Sequence, residues 1–315
     1  MADTDRQAPL TAPPDALAPP PRRRIPIPGR LAPWAFVAPA LILLCVFVYG
    51  PALANIVFSL HSWSAIDPDW DYVGLANYRR LFSSEIFWIA LLNNIIYAVC
   101  SVAVQVFGAL CIAAVLQAGI FRPMLNTFFR TSLFLPSILP VTVVGLLWQL
   151  IYQPSIGLID QALFATGLDS LSRIWLGERD TALYAVILVS QWQWTGYMVA
   201  LFIVAIAAIP EDLYEALRME GASRIQEFRY ITLPGVRESV LIFTVITIFG
   251  AFKVFDIVWV MTTGGPDRAS EVLGTHMYRS AFRDDVVGYS SAVATVIFVI
   301  TMTIGIVQLI LQRDE

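Results

Sequence analysis

Residues 209–235 read IPEDLYEALRMEGASRIQEFRYITLPG, a charged island between two apolar runs at 182–208 and 239–261. Its local chemistry is legible. Pro210 suits the first turn of a helix, and Glu211 and Asp212 suit the positive helix N-terminus. Leu213 and Leu217 share a face at i,i+4. Gly221 permits the left-handed conformation that ends a helix. Ser223 and Gln226 form an S-x-x-Q capping box for a second short helix. Pro234 precedes the next apolar run. The island reads as helix, glycine turn, helix, and the fold follows from what lies on either side of it.

Those flanking runs are two of six. Apolar segments lie near 34–60, 88–116, 132–152, 182–208, 239–261 and 288–311. Each supplies the roughly 20 residues that a membrane-crossing helix needs. The first has 27 residues, about 40 Å of helix, and is expected to tilt or extend past the bilayer. Pro136 and Pro140 predict a kink in the third. No period-two alternation supports a β-barrel. The composition agrees: 57% of the chain is hydrophobic and 14% charged, against about 25% charged in soluble domains. The fold class is an all-α integral membrane protein with six transmembrane helices. A lipid bilayer is its surroundings.

Arginine counts orient it. With the N-terminus inside, the tail, 117–131, 209–238 and 312–315 hold five, two, four and one Arg, and the loops 61–87, 153–181 and 262–287 hold two, two and three. Both termini are therefore expected on the cytoplasmic side, with 209–235 as a cytoplasmic loop between helices four and five. Residues 1–30, rich in Pro and Ala with Arg22, Arg23 and Arg24, read as a disordered cytoplasmic tail, and 31–315 as the transmembrane domain. The first apolar run starts late and is far longer than the 7–15 residues, roughly, of a signal peptide core, so a cleaved leader is not expected.

Several chemistries are excluded. Of twenty basic residues nineteen are Arg, and the lone Lys, Lys253, sits within an apolar run. No G-x-x-x-x-G-K-[ST] exists, so any ATP that drives the protein binds to another polypeptide. Net charge is −4, with no basic surplus for nucleic acid. Cys45, Cys100 and Cys111 lie in apolar runs, and Cys100 and Cys111 would stand about 16 Å apart on one helix, too far for a disulfide. His61 and His276 fall in predicted loops, and no Cys/His spacing suggests a metal. No cofactor is expected. No nucleophile or carboxylate pair marks an enzyme. No internal repeat is visible, and six segments are few for a transporter of two inverted halves.

The island also resembles a family. Glu215-Ala216-Leu217, then Gly221, then Ile231-Thr232-Leu233-Pro234 resembles the E-A-A…G…I-x-L-P signature of binding-protein-dependent ABC importer permeases. Leu217 stands where that signature has a second Ala, and Glu220 where it commonly has Asp. The resemblance implies a coupling helix docked in a cleft of an ATPase subunit, with Glu215, Ala216 and Gly221 central to the contact and Ile231, Leu233 and Pro234 completing the pattern. It also implies a second permease subunit as heterodimer partner, two ATPase subunits that hydrolyse the ATP, an extracytoplasmic substrate-binding protein, and a place in the bacterial plasma membrane.

Further matches resemble the carbohydrate type, the maltose and glycerol-3-phosphate importers. They are Val73-Gly74-Leu75-Ala76-Asn77-Tyr78, the lead-in Ile209-Pro210-Glu211-Asp212-Leu213-Tyr214, Phe252-Lys253-Val254-Phe255-Asp256, and Thr262-Thr263-Gly264-Gly265-Pro266. Gly264-Gly265-Pro266 is also a plain turn signal. Ionisable residues inside spans are costly and usually face protein or water. Lys253 and Asp256, at i,i+3, are expected on one helix face, as an ion pair or as a polar lining. Gln191-Trp192-Gln193-Trp194-Thr195-Gly196-Tyr197 offers aromatic faces and amides suited to a sugar, or alternatively an interfacial aromatic belt. By resemblance Gln193, Trp194 and Tyr197 match lining positions of the maltose-type permease, and Lys253 falls among that relative's substrate-contacting asparagines, which this chain does not retain. The expected function is a permease subunit of an ATP-driven importer for a sugar or related solute. The alternatives are a non-sugar such as a phosphate ester, or a self-sufficient secondary transporter.

Overall fold

The computed structural model describes residues 32–64, 66 and 70–313. The expected 1–30 tail lies outside them. The chain divides into two units, 1–51 and 52–315. In the first, Ala32–Leu44 is α-helical and Cys45–Tyr49 widens into a π-helical turn. The second is almost wholly helical, apart from a two-residue antiparallel strand pair that sets His61 opposite Tyr72 and Ser62 opposite Asp71.

Among the described residues four helices have the length and apolarity to cross a membrane: Phe36–Ser59, Glu85–Gln117, Arg179–Ala207 and Val287–Ile310. Two more candidates are bent pairs. Pro123–Ile138 meets Val141–Ile151 at 102°, and Arg224–Gly235 meets Arg237–Phe252 at 70°. The loops carry helices of their own, Ala76–Ser83, Leu158–Ala165 and Leu273–Phe282. His276, expected in a loop, belongs to the last of these and is buried.

The third apolar segment corrects its expectation. A kink was expected, but the helix starts earlier, at Pro123, and breaks outright. Pro140 has no N–H to continue the ladder, and it drives Leu139 before it into extended backbone. The carbonyl so freed is not left bare, because Gln193 Nε2 donates to Leu139 O at 3.0 Å.

The fifth segment is corrected likewise. Helix 237–252 ends at Phe252 and, after three intervening residues, a new helix, Asp256–Thr262, begins. In a continuous helix the Ala251 carbonyl would accept from the Phe255 N–H. Here Asn94 Nδ2 takes that carbonyl at 2.7 Å, while Asn94 Oδ1 accepts the Leu273 N–H at 2.8 Å. Its neighbour Asn93 donates to the carbonyls of Ala269 and Glu271, both at 2.8 Å. Gln149 Nε2 caps the far end of 256–262 at the carbonyls of Val260 and Met261. Amide side chains thus satisfy the backbone groups that a break in an apolar setting exposes.

Helix 179–207 is the hub. Its buried residues enter all three clusters of the core: with Phe87, Tyr97, Leu273 and Val293; with Val106, Leu110 and Val236; and with Val144, Val258 and Met261. Gln191 ties the hub to helix 85–117, accepting from Gln105 Nε2 at 2.9 Å and donating to Ser101 Oγ at 3.2 Å. Gln105 lies in a π-helical stretch, Val102–Gly108. Close approach is set by glycine. A Cβ on Gly196 would overlap the backbone carbonyl of Leu133, and one on Gly145 would lie 2.7 Å from Val260 Cγ1.

Candidate functional site

The 209–235 island folds as its residues dictate. Helix Glu211–Met219 starts after Pro210, with Glu211 and Asp212 in its first turn. Gly221 ends it with φ of +80°, and the Gly221 N–H bonds to Arg218 O at 2.9 Å. The Ser223 N–H then donates to Gln226 Oε1 at 2.7 Å, and the Ser223 hydroxyl donates to the same oxygen at 3.0 Å. Helix Arg224–Glu227 follows, widens into a π-helical turn at Phe228–Thr232, and closes with Leu233–Gly235.

A brace that the sequence reading did not find joins the two arms. Glu227 is buried, and its carboxylate accepts from Arg218 Nε at 3.0 Å and Arg224 at 3.1 Å. The Tyr214 hydroxyl meets Thr232 Oγ1 at 3.0 Å. Burial pushes the Glu227 carboxyl up, but hydrogen bonds and charges from the two arginines outweigh this and hold it below the ordinary glutamate value. Arg224 and Glu227, three apart on one helix, were a visible signal. Arg218 was not, since a glycine turn separates it from its partner.

Glu215, Ala216, Gly221, Leu233 and Pro234 are exposed, and Ile231 is half-buried. Two apolar side chains stand nearly free, Met219 at 89% and Ile225 at 78% exposure.

The expected path residues separate into two kinds. Gln193 is buried, its amide committed to Leu139 at the helix break. Trp194 and Tyr197 are part-exposed, their rings edge to face at 6.3 Å. Lys253 and Asp256 do not share a helix face, which corrects that expectation: Lys253 follows the last turn of one helix and Asp256 opens the next. Both are exposed, and no ion pair joins them. Between them Phe255 stacks on Trp259 at 5.6 Å and packs on Tyr278 at 5.1 Å. Among the described residues no group of three or more His, Cys, Asp or Glu could hold a metal.

This broken-helix architecture matches a crystal structure of a bacterial ABC transporter involved in the import of the acidic polysaccharide alginate. The TM-score is 0.78 at 22% identity, covering 90% of this chain and 95% of that one. The fold is thus that of an ABC importer's membrane subunit. The family model for the binding-protein-dependent transport system inner membrane component matches residues 109–314, and the chain belongs to that family. It is similar to the probable ABC transporter permease protein YurN of Bacillus subtilis, 47% identical over 281 residues, 89% of this chain and 96% of that one. It is also similar to the diacetylchitobiose uptake system permease protein NgcF of Streptomyces coelicolor, 31% identical over 287 residues, 89% and 81% of the two chains. The protein is a multi-pass component of the inner membrane.

Proposed function

We propose that this chain is one of two permease subunits of an ATP-driven importer for a sugar or related solute. It crosses the membrane six times, with both termini and the 209–235 loop in the cytoplasm. Its partners are a second permease, two ATPase subunits and an extracytoplasmic solute-binding protein. The observation that carries this reading is the 209–235 loop: a rigid, internally braced helix pair whose outward face leaves Glu215, Ala216, Gly221, Met219 and Ile225 uncovered. An ATPase cleft supplies the missing apolar cover. Closure of the ATPases on ATP pushes this loop, and the brace through Glu227 passes the motion to helix 237–252.

Trp194, Tyr197, Lys253 and Asp256 line the path, and Gln193 holds the broken third span from which the path is built. Sugar chemistry suits the ring faces of Trp194 and Tyr197, and NgcF is named for a sugar. A second reading, an anionic solute such as a phosphate ester, is favoured by Lys253, which is exposed and unpaired among the described residues. Lys253→Met separates the two: it abolishes uptake of an anion and leaves uptake of a neutral sugar within about threefold.

The test is purification from native membranes with subunit stoichiometry, then ATPase activity of the reconstituted assembly with solute-loaded binding protein. Co-purification of an ATPase and a second permease, with loss of stimulation in Glu215→Ala/Gly221→Pro, is the expected result. Solitary purification with ATP-independent transport in liposomes overturns the reading.

A further inference from the structure

The break in the fifth apolar segment is built around one amide. Asn94, on helix 85–117, is fully buried. Its Nδ2 donates to Ala251 O at 2.7 Å and its Oδ1 accepts the Leu273 N–H at 2.8 Å. Only one orientation of the amide serves both bonds. With both made, a single planar group fixes the end of helix 237–252 against the start of helix 273–282.

Those two points seat the residues between them. Leu273 is followed by Gly274, where a Cβ would lie 2.6 Å from Val254 O and 3.2 Å from Phe255 Cβ. The backbone at 254–255 therefore rests directly on the first turn of helix 273–282. Phe255 continues the contact along that helix, its ring 5.1 Å from Tyr278, and Tyr278 meets Trp259 at 4.7 Å. Lys253 and Asp256 flank this stretch and are exposed. They take their places from Ala251 on one side and Gly274 on the other.

The source of the donor marks the amide as more than a cap. Elsewhere in this chain polar side chains meet backbone carbonyls within one helix: Thr244, Thr262 and Thr301 each donate back along their own helices, to Val240, Val258 and Ile297. A bond of that kind says nothing about where the helix stands relative to its neighbours. Ala251 takes its donor from another helix, 157 residues away. That bond satisfies the carbonyl and also locates it.

We infer that Asn94 is a positioning residue for solute passage. Being buried, it touches no solute; it acts through Lys253 and Asp256, whose places in the path it sets. This rests on the path reading given above.

Two arms test it. The first uses the full chain in nanodiscs, with Cys45, Cys100 and Cys111 replaced and spin labels at Lys253→Cys and Tyr184→Cys. Pulsed EPR then reads the distance from the break to helix 179–207. A second pair, Tyr184→Cys with Val299→Cys, reads two helices that Asn94 does not join. Asn94→Leu keeps a branched side chain and removes both bonds. It is expected to broaden the first distance distribution and leave the second unchanged. Gly274→Val presses on Val254 without touching the amide, and is expected to shift the mean of the first pair while its width stays narrow. This variant keeps the placement open to test should Asn94→Leu not fold. A first pair unchanged in both variants overturns the positioning role. Broadening of both pairs in Asn94→Leu overturns it too, since the amide then supports the whole fold and not this segment.

The second arm counts passage. The probe is the solute that the binding protein retains through purification from native cells, and its uptake into liposomes is measured per ATP hydrolysed by the reconstituted assembly. Asn94→Leu is expected to lower that ratio by about tenfold. A ratio equal to that of the wild type overturns the role in passage. A wild-type assembly that takes up nothing overturns the path reading and the passage role with it, whereas the first arm needs neither ATPase nor binding protein and judges the placement by itself.

Discussion

At position 196 even a methyl group is too much. A Cβ there falls on the Leu133 carbonyl, and backbone cannot swing aside as a side chain tip does. Over-packing costs about 1–3 kcal/mol and occasionally more, so Gly196→Ala is expected at the upper end, near 3 kcal/mol. Thermal unfolding in detergent followed by size-exclusion chromatography checks it, and an unchanged Tm refutes the close crossing. The buried His276 gives a pH signature at the same scale. Its pKa falls from the ordinary 6.5 to about 4 on folding. The unfolded chain therefore binds the extra proton first, and stability present above pH 6.5 is lost as pH falls from about 6.5 to about 4. The linked loss is on the order of 3 kcal/mol. Glu271 works the other way: burial raises its carboxyl despite Arg279 and Arg268, and its protonation favours the folded state as pH falls. A Tm–pH series on wild type and His276→Gln isolates the histidine, whose acid-limb loss should disappear in the variant.

Among elements, the 209–235 loop was the most legible in sequence and the broken spans the least. Pro210, Gly221 and the Ser223–Gln226 pair specify their turns through bonds within four residues, so reading along the chain suffices. The breaks after Ile138 and Phe252 are different. Pro140 announced the first, though only as a kink. Nothing near Lys253 announces the second, because the group that ends the helix is Asn94, 157 residues away. The supposed Lys253–Asp256 face failed for that reason, and Gln193 proved a brace for Leu139 for a similar one. The Glu227 brace makes its own prediction. Arg218 and Arg224 are half-exposed, so Glu227→Ala leaves no charge stranded in the interior and costs about 1 kcal/mol. Binding-protein-stimulated ATPase should nevertheless fall at least about tenfold, since the arms of the loop no longer move together. A variant that keeps full stimulation would show that the brace carries no motion.

For the whole molecule, membrane class followed from composition and from the apolar runs, and the family from the spaced residues of the 209–235 loop and the 252–266 region. Sidedness was argued from arginines alone, and it has a direct check. Ser223 lies on the exposed loop and Asp267 on the turn beyond the 256–262 helix. In a background with Cys45, Cys100 and Cys111 replaced, Ser223→Cys should react with a membrane-impermeant maleimide only in inverted vesicles. Asp267→Cys should react only in intact spheroplasts. The reverse pattern would invert the topology.

Asn94 has a further consequence. One amide group holds both ends of the segment from Ala251 to Leu273, much as a clasp closes a necklace. Between those ends Ile257, Val258 and Met261 pack into the core, while Lys253 and Asp256 stay exposed. Descendants of such a chain can exchange or recharge the exposed Lys253 and Asp256 while the helices outside keep their places. Those two positions can therefore change without the architecture being rebuilt around them.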